Sequence, residues 1–386
     1  MCVTQIREEG APTSFGAVHL AFTDEQDELR ANVRAVLTKE CPPSLPRAIV
    51  EGTGDAAGLW ATERALDWPA LTVPEADGGI GYGSVELVVL VEELGRALAP
   101  GPLFATVTQF VPFVRELGTA DQRAALLGAV VAGSSGTVAV AERPTGWSLA
   151  GVQATLRADG DGYVLDGVKH HVLSPDADEV AVVARLESGD LALAVVPAAA
   201  VTVDELTPLD ATRPVGHLSF TGVAVPAERV LTAGGAAGMT RALEEATVGM
   251  AVETLGACQA IFEVTLQYAK DREQFGVPIG SFQAVKHRLA DCYMQLERAR
   301  ALGYFAAACL AEDDPRRAEA TAMAKAAAGD CQRFVAAEGI QLLGGIAYTW
   351  EHDQHLWVKR AMTGDLLFGR IRDQRARLAD ILQPAG

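Results

Sequence analysis

The feature that most constrains this chain is its hydrophobic period, which changes twice along the sequence. From Gly136 to about Thr232, apolar residues alternate with polar ones or form short runs, as strands require. On either side they recur every three or four residues, as amphipathic helices require. Successive side chains of a strand point to opposite faces, whereas a helix advances about 100° per residue, so neither pattern serves the other element. The chain of 386 residues is also longer than one ordinary core fills. The expected class is therefore α+β, with an N-terminal helical domain over 1–132, an antiparallel β domain over 133–234 and a C-terminal four-helix bundle over 235–386.

Local signals place the elements. Residues 1–20 read as a disordered lead, and Thr23-Asp24-Glu25-Gln26 then caps a helix through about Leu37. Phe22, Leu29, Val33 and Leu37 share one face of it. A second helix is expected from Gly58 to Trp68, and Ser84 opens the helix that carries Glu92-Glu93-Leu94-Gly95. The glycines at 78, 79, 81 and 83 lack a surrounding βαβ unit, which argues against a dinucleotide fingerprint. Strands are expected at 137–141, 151–156, 163–167, 179–183 and 191–196, with Asp159-Gly160-Asp161-Gly162 as a hairpin turn. Four long helices follow at about 237–270, 282–312, 315–343 and 351–383, the third opened by Asp314-Pro315.

Composition narrows the partners. Fifty acidic residues against 32 basic ones leave a net charge of −18, which opposes nucleic acid or an anionic membrane as the main partner. An anionic ligand would need a local basic group, and Arg272 is the best candidate. Six scattered cysteines without a CxxC pair suit small buried thiols in a reducing cytoplasm. No apolar run reaches the roughly 18 residues that span a bilayer, so a cytoplasmic protein with no membrane contact is expected. His352 and His355 make at most half a metal site, with no further Cys or His at ligand spacing, so no metal is expected.

The densest chemical signal is Asp271-Arg272-Glu273-Gln274-Phe275-Gly276-Val277-Pro278-Ile279-Gly280-Ser281-Phe282-Gln283. Glycine and proline punctuate this stretch between two helical runs, and Ser281 is placed to cap the second. Such a turn can offer an arginine fork and a helix N-terminus to a diphosphate. Arg272-x-x-Phe275-Gly276 with Gln283 resembles the FAD-binding turn of the acyl-CoA dehydrogenase family. Gln341-Leu342-Leu343-Gly344-Gly345-Ile346-Ala347-Tyr348 resembles the family's second FAD segment, and the pair at this separation is specific. The resemblance covers nearly the whole chain.

It implies an enzyme that removes a proton α to an acyl-CoA thioester and passes a hydride to FAD. Arg272, Gln274, Phe275, Gln283, Gln341, Gly344 and Gly345 are the implied cofactor-binding residues. The family's usual base step, Glu-Gly-Thr, falls here at Phe368-Gly369-Arg370, which has no carboxylate. A second family location falls at Ala246, so Glu245 beside it is one candidate base; Glu351, just after the glycine pair, is the other. The flavin-ring segments also depart from the pattern, as Val140-Ala141-Glu142-Arg143-Pro144 and Lys169-His170-His171-Val172-Leu173-Ser174. Ala141 and Leu173 lack the hydroxyls that would bond a flavin ring, and His171 stands where an indole is expected.

This asymmetry resembles bacterial family members that assemble from two different subunits. The expected partners are an acyl-CoA substrate, an electron-transfer acceptor, and either a second copy or, favoured, a paralogous subunit whose flavin this chain completes. A scaffold that binds acyl-CoA or a partner without flavin remains the alternative, and a flavin monooxygenase or oxidase a third reading.

Overall fold

A computed structural model describes residues 22–383, so the expected lead at 1–20 lies outside the described residues. Thr23 forms the capping box with Gln26 that opens α1 (Asp24–Glu40), and Val33 and Leu37 are buried as their spacing requires. Two short helices, α2 (Ser44–Val50) and α3 (Ala57–Ala65), precede α4 (Ser84–Ala97), whose residues from Leu87 to Gly95 are all buried. Next come α5 (Leu103–Ala105), a π-helical turn (Thr106–Phe110), α6 (Val111–Leu117) and α7 (Ala120–Val131).

The middle domain is one sheet of eight strands: β1 (Gly136–Ala139), β2 (Thr155–Asp159), β3 (Gly162–Leu173), β4 (Glu179–Leu186), β5 (Leu191–Pro197), β6 (Thr202–Glu205), β7 (Val215–Pro226) and β8 (Val230–Leu231). Its order is β6-β7-β3-β2-β4-β5-β8, with β1 beside β4. The antiparallel expectation needs correction here, because β1 and β2 each run parallel to β4. Both reach β4 across long connections, and only the β2–β3 turn, with Gly160 at φ +57°, is the hairpin read from sequence. Of the longest pairing, β3 with β7, only β3 is among the five strands expected; β6, β7 and β8 lie beyond them.

The last segment starts with α8 (Gly235–Asp271), buried through most of its first two-thirds and packed along α4. The crossing is close because both helices present glycine. A Cβ on Gly95 would lie 2.1 Å from the Glu253 carbonyl, and one on Gly256 would lie 2.0 Å from that of Glu92. After the small strands β9 (Glu273–Gln274) and β10 (Val277–Pro278) come α9 (Gln283–Ala311) and α10 (Arg317–Leu343). Two short links make these three helices run up, down and up, so α8 and α10 end at the same end of the bundle.

Three boundary expectations are corrected. Phe282, not Ser281, is the N-cap of α9; the Ser281 hydroxyl donates to the Pro278 carbonyl instead. α10 opens at Arg317, with the Asp314 carboxylate accepting from the Arg316 amide. The expected fourth helix is two, α11 (Gln354–Leu366) and α12 (Ile371–Leu382), which makes five helices in the bundle among the described residues. Phe368 and Gly369 break it with φ of +56° and +92°, a region from which helical hydrogen bonding cannot continue.

Candidate active site

The break between α11 and α12 positions the site. Lys325, buried on α10, donates to the carbonyls of Gly364 (2.8 Å) and Asp365 (3.2 Å) and so closes the end of α11. The Gln374 amide donates to the Phe368 carbonyl at 2.8 Å, and Asp373 accepts from the Arg370 amide at 3.1 Å to start α12. Phe368 is thereby turned inward, where its ring stacks on Trp147 with centroids 4.2 Å apart and planes 25° apart.

Trp147 comes from the loop between β1 and β2, which is tied down from below. The Glu142 carboxylate accepts from Lys169 Nζ (2.6 Å) and from the amides of Gln153 (2.7 Å) and Ala154 (3.0 Å). Burial pushes the Lys169 ammonium down to about 8, although Glu142 works the other way. Next to it, a bulge in β3 puts His171 at φ +56°. The ring centroids of His170 and His171 lie 4.5 Å and 5.3 Å from that of His217. Burial, then the neighbouring His217 and Arg143, hold both His170 and His171 below the usual histidine range, which favours their neutral forms.

These segments enclose a cavity of about 780 Å³ lined by the loop from Pro144 to Leu149, by His171, by Leu243 and Thr247 of α8, and by the joint from Phe368 to Arg370. The three stretches read from sequence as altered thus meet at one place. Neither candidate base lines it. Glu245 is buried and turned away, its carboxylate accepting from Arg115 Nη2 at 2.6 Å. Glu244 accepts from Arg317 (3.0 Å) and Arg377 (2.7 Å). Glu351 is exposed in the turn before α11 and lines no described cavity. The carboxylates that do line the large cavity are Asp373, which caps α12, and Asp380. The Trp147–Phe368 stack, the feature sequence reasoning missed, had only the substitution at Phe368 as its signal.

The other implied residues lie at the end of the bundle. Arg272 caps α8 through its amide, and its guanidinium has no hydrogen bond or ion pair among the described residues. Phe275, at φ +56°, is 93% exposed and meets Phe282 edge-on at 6.2 Å. Gln274 donates to the neighbouring Glu273 carbonyl. Gln283 and Gln341 are exposed, and Gly344 and Gly345 open α10's end with no atom within 4 Å of a Cβ placed on either. A projecting, unpaired arginine flanked by an aromatic ring and open backbone fits a diphosphate. Ala141 and Leu173, both buried and apolar, do not fit the polar edge of a flavin ring. No group of three or more metal-ligating side chains occurs among the described residues.

The sequence model of the acyl-CoA dehydrogenase N-terminal domain matches residues 23–134, and that of its C-terminal domain matches residues 228–382. The chain belongs to the acyl-CoA dehydrogenase family. This is a family of oxidoreductases that generally depend on FAD. The chain is 34% identical over 357 residues to the acyl-CoA dehydrogenase IpdE2 of Mycobacterium tuberculosis, covering 92% of this chain and 96% of that protein. Among solved structures it resembles the ChsE4-ChsE5 complex of Mycobacterium tuberculosis, with a TM-score of 0.86, 28% identity and coverage of 95% and 99%. Butyryl-CoA dehydrogenase from Megasphaera elsdenii matches as well, with a TM-score of 0.86, 26% identity and coverage of 94% and 99%. Among the described residues no helix is long and apolar enough to cross a membrane.

Proposed function

We propose that this chain is a subunit of a flavin-dependent acyl-CoA dehydrogenase that desaturates an acyl-CoA at the α,β position together with a paralogous partner. The observation that carries the reading is the inequality of its two half-sites. At the bundle end, Arg272, Gln274, Phe275, Gln283, Gln341, Gly344 and Gly345 offer an unpaired cation, an exposed ring and open backbone. At the cavity, the position of the base is the buried Phe368, stacked on Trp147, and both candidate carboxylates face elsewhere. Bound FAD supplies the acceptor for the hydride leaving the acyl β carbon. This chain's part is to hold the diphosphate of a flavin whose ring sits on the partner, while the proton is taken by the partner's carboxylate. Reoxidation then requires an electron-transfer acceptor. The solved relative named as a complex of ChsE4 with ChsE5 is a precedent for pairing two chains.

The test is flavin stoichiometry. Expressed alone the chain should hold little FAD, and co-expression with a paralogous acyl-CoA dehydrogenase chain should give about one FAD per heterodimer. Arg272→Ala removes charge-assisted bonds worth about 1.5–3 kcal/mol, enough to weaken flavin binding about 10- to 100-fold. Unchanged occupancy in the Arg272→Ala complex would refute the role of this turn. One FAD per chain in a homo-oligomer that oxidises acyl-CoA unaided would refute the division of labour.

A further inference from the structure

The cavity beside Phe368 has a neighbour that the flavin reading leaves unused. A smaller one, about 240 Å³, lies between the segment from Leu206 to Val215 and the end of α11. Its walls are mostly apolar, with Leu206, Pro208, Val215 and Leu367 among them. His171, Leu366 and Arg370 line both cavities and so mark their junction.

Among the arginines that line the two cavities, all but one pair with a carboxylate. Arg213, at the inner end of the small cavity, pairs with Glu253 and lies over the Phe104 ring at 4.7 Å. Asp210 in the same cavity is held by Arg360 and by the Thr212 hydroxyl. In the large cavity Arg377 pairs with Glu244 and Arg372 with Asp373. Asp380 also lines the large cavity, but it does not line the small one. Arg370 is exposed, and its guanidinium makes no hydrogen bond or ion pair among the described residues. His171 lines both cavities with it; partial burial, then His217, holds this histidine below its usual range, which favours the neutral form.

An unpaired guanidinium at the mouth of an apolar chamber has a defined complement. We propose that Arg370 anchors a binding site for a carboxylate carried on a medium-length apolar chain. The carboxylate meets the Arg370 fork at the junction, and the chain lies in the small cavity against Leu206, Pro208, Val215 and Leu367. Bidentate pairing selects a planar carboxylate over a neutral head group, and the apolar walls select the tail. The site goes beyond the flavin reading and stands whether or not this chain completes a partner's flavin. Two sources share this chemistry: a free carboxylic acid, and the distal carboxylate of a dicarboxylic acid bound to CoA at its other end.

Calorimetric titration of the full chain in its purified assembly tests the site. Two probe pairs are used: octanoate against 1-octanol, and the mono-CoA thioester of suberic acid against octanoyl-CoA. The expected result is at least a tenfold preference for the carboxylate in one pair or both, lost in Arg370→Gln and partly kept in Arg370→Lys. A preference in the first pair identifies a free acid, and one confined to the second identifies the thioester. Because Arg370 is exposed, the variants should melt like the parent protein. Equal binding within both pairs, or a preference that survives Arg370→Gln, overturns the proposal. Flavin content is read separately, so loss of the division of labour between subunits would leave this result standing.

Discussion

Removing Arg360 should unlock the three domains from one another. Its guanidinium is 1% exposed and bonds Asp210 on the segment before β7, Glu253 on α8 at 2.8 Å and the Thr212 hydroxyl at 2.6 Å. It also reaches the Ala99 carbonyl, at 3.5 Å, beyond α4. One side chain on α11 therefore ties the N-terminal helices, the β domain and the bundle. Burial alone would push the Asp210 carboxyl up, but Arg360 and Arg213 hold it below its ordinary value. Arg360→Leu leaves two carboxylates nearly inaccessible to water, and stranding a buried charge costs about 3–5 kcal/mol. Arg213 remains beside both, which favours the lower end, about 3 kcal/mol. For a large domain that is a fall of about 6–12 °C in Tm. A chain with three packed segments need not melt in one step, so the first transition in calorimetry is the quantity to read. Adding Asp210→Asn and Glu253→Gln should recover part of the loss, because the stranded charges go. A fall of under about 1 °C for Arg360→Leu would refute the account, since it would mean that water already screens this network.

Two further outcomes follow from buried groups. Burial pushes Lys325 down to about 8 from an ordinary 10.5, so between these values the unfolded chain holds a proton that the native chain has released. Stability referable to Lys325 is therefore lowest below pH 8 and rises by about 3 kcal/mol as pH climbs to about 10.5. Thermal melts at pH 7 to 10 should show the parent protein gaining on Lys325→Met, and parallel curves would contradict this. Gly256→Ala places a methyl 2.0 Å from the Glu92 carbonyl and should cost about 1–3 kcal/mol. Gly128→Ala, in α7 with nothing within 4 Å of the new Cβ, should instead be neutral or stabilising. Equal melting of these two variants would discount the close crossing of α4 and α8.

What was legible in the sequence was what local physics dictates. Periodicity placed the helical, β and helical segments, since side-chain spacing alone decides which element can bury a face. The capping box at Thr23, the hairpin at Gly160 and the turn at Arg272 were readable because each depends on a few adjacent residues. The parallel pairing of β1 and β2 with β4 was not, because register between distant strands is settled by which faces the rest of the core covers. The break after α11 escaped for a related reason. Phe368 is held in its left-handed conformation at a joint fixed by Trp147 and Lys325, both remote in sequence, together with the nearby Gln374. Side-chain direction decided the site. Glu245 lay one position from the place that the resemblance assigned to a base, and about 100° of helical turn is enough to hand its carboxylate to Arg115 instead. Arg370 looked like a lost threonine until the tertiary structure set it, unpaired, between two cavities; chemistry by residue type was in the sequence, and only packing decided what each charge would face.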